Sequence, residues 1–486
     1  MIRSFIKSDH LKLIPILILA FYFAFIPHQS YSYPVHVDEW NHMALSMELI
    51  DNGGVEGLTN PLSGGEPLWN QMFEIGFHLF WGVFQQLSGI SWLEMIRYFP
   101  GIIFMLTVLS VYILCRRQGF GWESALCACL VPTLVGILGP GFLVPVAMGM
   151  LFIPLSLFIA FNFPGWRGYL ILLIFALFLI TIHAPTSIAL IIVLVPYLVL
   201  NLRRNYKHAL GIALAAVIPF AVPLPWIWNL IGAKMGELFS PSLLPEYVDL
   251  PKDFAVYGYI PTALFILGIY VLISRRGDRN YGLVFGALSL LAMVVMFFKM
   301  NYGISLVYLR GFVHLQLMMG VVAGAGIWWL RHLRLASGFS KRIPSVITNN
   351  LANVLAVVVI LLTLYVAIPS RNMVNYYHMI DTRDYKAFTW IANNIDESYD
   401  KAILDPWKGT AFTALTGRKV FTRILMGADR RGKKAYLFLE EGCTDTSFLK
   451  KKGISIVYTR GGCNNPDLVK VSDYVYILPE AARQEE

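Results

Sequence analysis

Apolar residues along this chain fall in long runs rather than in alternation. A bilayer core takes roughly 20 apolar residues per helix, and the first such run extends from about Leu11 to Pro27. Further runs lie near 70–90, 96–115, 123–139, 142–163, 167–182, 184–201, 208–231, 257–274, 281–298, 305–330 and 348–369. The pattern predicts a polytopic α-helical membrane protein of about 11–12 transmembrane helices. After residue 369 charged residues become frequent and no run is long enough to span. Asp384 to Ile395 predicts an amphipathic helix. Lys401–Leu404, Lys419–Thr422, Ile454–Tyr458 and Tyr474–Leu478 predict short strands, with helical turns at Tyr436–Glu440 and Thr446–Lys451. The expected division is a transmembrane domain over 1–369, with an outer loop at 28–69, and a small extracytoplasmic α/β domain over 370–486.

Composition agrees. Of 486 residues, 57% are hydrophobic and 14% charged, against about 25% charged in soluble domains. So much apolar surface calls for lipid as solvent. The net charge of +9 does not point to nucleic acid, because the basic residues sit in short clusters between apolar runs, where they set topology. Arg3, Lys7 and Lys12 predict a cytoplasmic N-terminus, and no clear small-x-small cleavage site follows the first run. Arg203, Arg204 and Lys207 mark one cytoplasmic loop, Arg275, Arg276 and Arg279 another, and Arg331, Arg334, Lys341 and Arg342 a third. These place 232–256, 299–304 and the tail outside. One conflict remains. An outside 28–69 and an inside Arg203 require an odd number of crossings, but six runs lie between them. One must fail to cross; His183-Ala184-Pro185 is the first suspect and Gly139-Pro140-Gly141 the second. Arg116 and Arg117 then fall outside, against the positive-inside tendency. Cys115, Cys127 and Cys129 read as buried small hydrophobes. On the outside, Cys443 and Cys463 are either a disulfide or two free thiols.

The outer loop holds the densest chemistry. Adjacent carboxylates Asp38 and Glu39 lie between His36 and His42, at the start of an amphipathic helix reaching about Ile50. A carboxylate pair can act as a general base or hold a divalent cation. The plain structural alternative is a helix start, with Asp38 as N-cap and Glu39 favoured by the helix dipole. Polar residues within apolar runs are costly unless satisfied, so each is a functional candidate. Glu74 and His78 are four apart and share a helix face. His183 interrupts a run, Lys299 ends one, and Arg310 stands four residues before His314. Arginine suits bidentate binding of phosphate. Carboxylates, histidines and a cation at the outer face of a hydrophobic body suit a substrate with a lipid tail and an anionic head. No P-loop and no Gly-x-Gly-x-x-Gly after a strand is present.

In order along the chain, these features resemble the GT-C superfamily of integral-membrane glycosyltransferases. Those include protein O-mannosyltransferases, aminoarabinose transferases and the catalytic subunits of oligosaccharyltransferases. The matching segments are Asp38-Glu39 after the first span, Glu66-Pro67-Leu68-Trp69 opening the second run, and Arg97 in Ile96-Arg97-Tyr98-Phe99-Pro100. The long loop 232–256 and Tyr308-Leu309-Arg310-Gly311-Phe312 complete them. The resemblance implies inverting transfer of a sugar from a polyprenyl-phosphate donor to a glycan, lipid or protein acceptor, outside the membrane. It implies that Asp38 is the catalytic or metal-binding acid and Glu39 its neighbour. Arg310 would then bind the carrier phosphate or the acceptor, and His36, His42, Glu74, His78, Lys299 and His183 remain candidates for substrate contact. The tail lacks a Trp-Trp-Asp-Tyr-Gly motif, its nearest stretch being Asp405-Pro406-Trp407, which argues against transfer to a sequon asparagine. Gly139-Pro140-Gly141-Phe142 lacks the acidic pair of oligosaccharyltransferases, so a divalent cofactor, Mg or Mn, is left open. The rival readings are a transporter or flippase for lipid-linked sugars and a non-catalytic membrane assembly subunit.

Overall fold

The protein is known through a computed structural model, which describes residues 9–55, 60–62, 74–222, 255–300, 302, 305–333, 345–424 and 430–479. The chain forms two compact units. One comprises Met1–Ser30, Phe73–Phe77 and Met95–Asn375; the other comprises Tyr31–Met72, His78–Glu94 and Tyr376–Glu486. The first is helical. Among the described residues, seven helices are long and apolar enough to cross a membrane: Asp9–His28, Trp92–Arg116, Pro145–Asn162, Ala184–Leu202, Asp278–Met300, Arg310–Arg331 and Asn350–Asn372. Three shorter apolar helices, Trp166–Ile182, Tyr206–Ala221 and Tyr259–Arg275, pack with them. Arg310–Arg331 is 83% buried and forms the centre, whereas Asn350–Asn372 is 22% buried and turns most of its apolar surface outward. Small residues let neighbours approach the central helix closely. A side chain at Gly324 would collide with Ser124, one at Gly320 with Ala128, and one at Gly326 with Leu264. The Ser124 hydroxyl donates to the Val321 carbonyl at 2.6 Å across the same seam.

Basic side chains gather at one end of this unit. Lys12 and Arg331 both lie over the Trp122 ring. Arg331 also pairs with Glu123, and Arg117 reaches Asn162 at 3.4 Å. Arg275 donates to the Gln118 carbonyl at 2.8 Å and lies over Trp328. Arg116 follows directly in the same end turn, over Tyr112. Arg97, by contrast, lies over Phe25, at the other end of the first helix. The odd placement of Arg116 and Arg117 expected from the run count is thereby removed. The run at 70–90 condenses to a helix over Ile75–Ser88. At about 1.5 Å per residue its 14 residues reach only about 21 Å, well short of a bilayer core of about 30 Å. His183 separates two helices, Trp166–Ile182, which is among the shorter apolar ones, and Ala184–Leu202, which is long enough to cross. The run at 123–139 is also not one helix. Gly121–Ala128 is followed by a buried turn closed by a Leu134–Leu138 bridge. Arg371 braces that turn from the last helix by donating to the Leu130 carbonyl. The segments 232–254 and Glu66-Pro67-Leu68-Trp69 lie outside the described residues, as do Arg334, Lys341 and Arg342.

In the second unit a five-stranded sheet is formed by β1 (Lys401–Ile403), β2 (Lys419–Val420), β3 (Ile456–Tyr458), β4 (Val469–Ser472) and β5 (Val475–Ile477). Its order is β2-β1-β3-β5-β4. β1 runs parallel to β2 and β3, and β5 closes the sheet antiparallel to β3 and β4. Four of these strands coincide with the predicted ones. β4 is an exposed edge strand with a bulge between Lys470 and Ser472, so its sequence carries no alternation to betray it. The amphipathic helix is Thr382–Asn394, started by an Asp381–Asp384 capping box. The helical turn expected at Tyr436–Glu440 begins earlier, as Arg430–Glu440. Cys443 and Cys463 form a disulfide beside the core of Ile403, Phe438, Leu449 and Val457, while Cys115, Cys127 and Cys129 are free and buried.

The segment that follows the first helix belongs to this second unit. The Tyr31 hydroxyl donates to the Ile380 carbonyl at 2.6 Å, and its ring stacks on His378. Burial pushes the Tyr31 hydroxyl well up, so it stays a neutral donor. The Val420 amide donates to the Leu62 carbonyl at 3.0 Å, which adds the loop to the sheet edge.

Candidate functional site

The acidic motif sits on the helix Val37–Asp51, and its two carboxylates do different work. His36, not Asp38, is the N-cap. Its Nδ1 accepts from the Asp38 amide at 3.1 Å. Glu39 is 1% exposed, and its Oε2 accepts from the Val35 amide at 3.0 Å and the His36 amide at 3.2 Å. The two residues make a capping box. Asp38, at the second helical position, keeps its side chain 35% exposed, with one oxygen 3.7 Å from His36 Nδ1. An ionised group there is favoured by the helix dipole and remains accessible to a substrate. Trp40 is fully buried and anchors the helix.

One turn on, two residues add to this face. Asn41 accepts from Arg423 at 2.7 Å, and His42 Nδ1 lies 3.0 Å from His78 Nε2. Arg423 follows β2, and the helix Val37–Asp51 packs against the helix Gly409–Thr416 that precedes that strand. No pattern in the sequence joins Asn41 to Arg423, since their 382-residue separation leaves no local signal. Both histidines are buried. Burial, and then His42, push His78 well below the usual histidine range, so its ring stays neutral in an N–H···N contact with His42. Neutral imidazoles are metal donors. Two nitrogens about 2.05 Å from a tetrahedral ion stand about 3.3 Å apart, close to the spacing seen here. Glu74 precedes the helix Ile75–Ser88 that carries His78, and the two imidazoles are part of a donor set for a divalent ion.

The helical unit carries its own polar group at depth. His183 caps the start of Ala184–Leu202, and its Nδ1 meets the Thr186 hydroxyl at 2.6 Å. The same hydroxyl lies 3.0 Å from His314 Nε2. A hydroxyl has one proton to give, so at least one of the two imidazoles donates its N–H to Thr186. Thr186, silent in the sequence, is what joins His183 to the Arg310–His314 turn. Arg310 is half-buried one turn before His314. Lys299 is exposed, next to last in its helix.

No protein-family model matches the chain, and no curated protein matches it in sequence. Solved structures do match in fold. An Archaeoglobus fulgidus oligosaccharyltransferase in the apo form is 14% identical, with a TM-score of 0.61 over 94% of this chain and 70% of that one. ArnT from Cupriavidus metallidurans, bound to undecaprenyl phosphate, is also 14% identical, with a TM-score of 0.59 over 98% of this chain and 99% of ArnT. The mycobacterial arabinofuranosyltransferase AftD gives 14% identity and a TM-score of 0.56 over 96% of this chain and 37% of AftD. Archaeoglobus oligosaccharyltransferase structures with dolichol-phosphate and an inhibitory peptide, and with Zn and sulfate, match at TM-scores of 0.57 and 0.55. These proteins are glycosyltransferases of the GT-C type. The chain therefore has the GT-C fold, a polytopic helical membrane body with a small α/β domain near its C-terminus.

Proposed function

We propose that this protein transfers a sugar from a polyprenyl-phosphate donor to an acceptor, with inversion at the anomeric carbon. The observation that carries the reading is the division of labour at residues 36–39. Glu39 is consumed by the backbone, whereas Asp38 keeps an accessible carboxylate at the opening of the outer helix. The fold shared with enzymes solved on undecaprenyl phosphate and dolichol-phosphate supports the donor class. In the proposed step Asp38 takes the proton of an acceptor hydroxyl or amine. The freed lone pair attacks the anomeric carbon as its bond to the phosphate oxygen breaks. The electron pair leaves on the carrier phosphate, whose charge Arg310 is assigned to hold. His42 and His78 would help hold a divalent cation, which when bound supplies positive charge, and Glu74 is assigned a contact with substrate. His36, through its backbone cap, sets the direction of Asp38. Lys299 and His183 are assigned secondary contacts with substrate. The basic end at Lys12, Arg117, Arg275 and Arg331 is assigned to the cytoplasm by the positive-inside tendency, which puts the N-terminus inside and the disulfide-bearing unit outside.

The test is release of free polyprenyl phosphate by the purified full chain, offered a panel of undecaprenyl- and dolichyl-phosphate sugars. Asp38→Asn should lose at least about 100-fold in turnover, the scale of a lost general base, while melting like the unmodified protein. Wild-type turnover in that variant would end the proposal.

A further inference from the structure

We infer that the basic end of the helical unit holds a binding pocket for the phosphate headgroup of an anionic phospholipid. A cavity of about 400 Å³ opens there between the ends of Pro145–Asn162, Ala184–Leu202 and Tyr259–Arg275 and the start of Asp278–Met300. Its floor is aromatic, from Phe161 and Tyr197, whose rings pack 4.4 Å apart. Its rim is cationic, from Arg275, Arg276 and Arg279. Topology alone asks only for positive charge somewhere in such a loop. It does not ask for three guanidinium groups around one cavity.

The fate of each charge separates a site from a scatter of surface arginines. Asp278 is the single acid in the lining, and it is neutralised by Arg204, whose Nη1 donates to both carboxylate oxygens at 2.7 and 2.8 Å. Arg275 is held by the Gln118 carbonyl and by the faces of Trp328 and Phe120. The guanidinium groups of Arg276 and Arg279 have no hydrogen-bond or ion-pair partner among the described residues, although the Arg276 carbonyl accepts from Asn280 at 2.7 Å. Arg276 is turned toward the cavity by a left-handed φ of +51°, followed by Gly277 at +103°. Such a backbone is uncommon for a residue with a side chain. With Arg204 included, four guanidinium groups face one carboxylate, a local charge of +3. Two uncommitted forks match the oxygens of a phosphate. Basic pockets between transmembrane helices at a membrane face take anionic headgroups in this way. The aromatic floor would meet the glycerol end, which favours a lipid over free phosphate. Nothing in this inference depends on the sugar-transfer reading.

The full chain in a neutral detergent would be titrated with short-chain phosphatidylglycerol, phosphatidylcholine or inorganic phosphate while its melting temperature is followed. Phosphatidylglycerol should raise the melting temperature saturably, and the other two should not. The double variant Arg276→Gln, Arg279→Gln should need at least tenfold more phosphatidylglycerol for the same shift. No lipid-specific shift in the wild-type chain would overturn the inference, whether or not the variant folds. An equal shift with inorganic phosphate, or an undiminished response in the variant, would overturn it as well.

Discussion

Glu39 and Asp38 are neighbours of one chemical type, and the structure assigns them opposite phenotypes. Replacing Glu39 by Ala strips the acceptor from the Val35 and His36 amides, whose residues are 0% and 7% exposed. A buried donor left without a partner costs about 1–3 kcal/mol. With partial entry of water at the turn, the expected loss is about 2–4 kcal/mol. Glu39→Gln retains an acceptor oxygen but not the charge, and should cost about 1 kcal/mol, the usual scale of a weakened cap. The Asp38 side chain is 35% exposed and its oxygen lies 3.7 Å from His36 Nδ1, so Asp38→Asn, which keeps the side chain's shape and loses its charge at the helix start, should cost about 0.3–1 kcal/mol. Denaturant unfolding of the three variants in one detergent reads the stability order, and carrier release reads turnover. The expected pattern is Glu39→Ala unstable, Glu39→Gln intermediate and still active, and Asp38→Asn stable but inactive. A Glu39→Ala protein as stable as wild type would refute the capping argument. So would an order in which Asp38→Asn is the least stable of the three.

Two further outcomes test the second unit. The Cys443–Cys463 bridge closes a loop with a sequence separation of 20, so Cys443→Ser or reductant should destabilise that unit by about 3 kcal/mol, read as a fall in its denaturant midpoint; no change would mean the loop is already ordered without the bridge. Partial burial raises the Asp381 carboxyl, but the Arg460 guanidinium and the Asp384 and Arg383 amides more than offset it, holding it at about 2, below its ordinary 3.8. Its contribution is present above about pH 4 and lost as the pH falls from 4 toward 2, and Asp381→Asn should flatten that part of the stability–pH profile.

Much of the membrane body is legible because lipid leaves the backbone no choice but helix. An apolar run of the right length therefore reads as a span. What the run cannot say is whether its surroundings are lipid or protein. The stretch after Ala128 is as apolar as its neighbours, yet Pro132, Gly136, Gly139 and Pro140 turn it, and it survives only because it is buried in protein. In the soluble unit, β1, β3 and β5 declare themselves by β-branched residues, whereas β4 is a polar edge. At the candidate site the acidic helix start was visible, with Asp38 read as its N-cap and Glu39 as favoured by the dipole, whereas His36 is the cap and Glu39 closes its box. The contacts that join Asn41 to Arg423 and His183 through Thr186 to His314 were not visible, because each is a meeting of distant segments and has no local period.

The link between Tyr31 and Ile380 spans 349 positions of sequence. At about 5–20 residues per second, a ribosome needs roughly 20 to 70 s to make the chain between them. For that interval Tyr31 lacks the carbonyl it donates to, while the His42–His78 contact can already form. A message cut short before codon 380 would leave a helical body with its first loop permanently unmatched. Premature termination should therefore deliver the product to degradation rather than to partial activity.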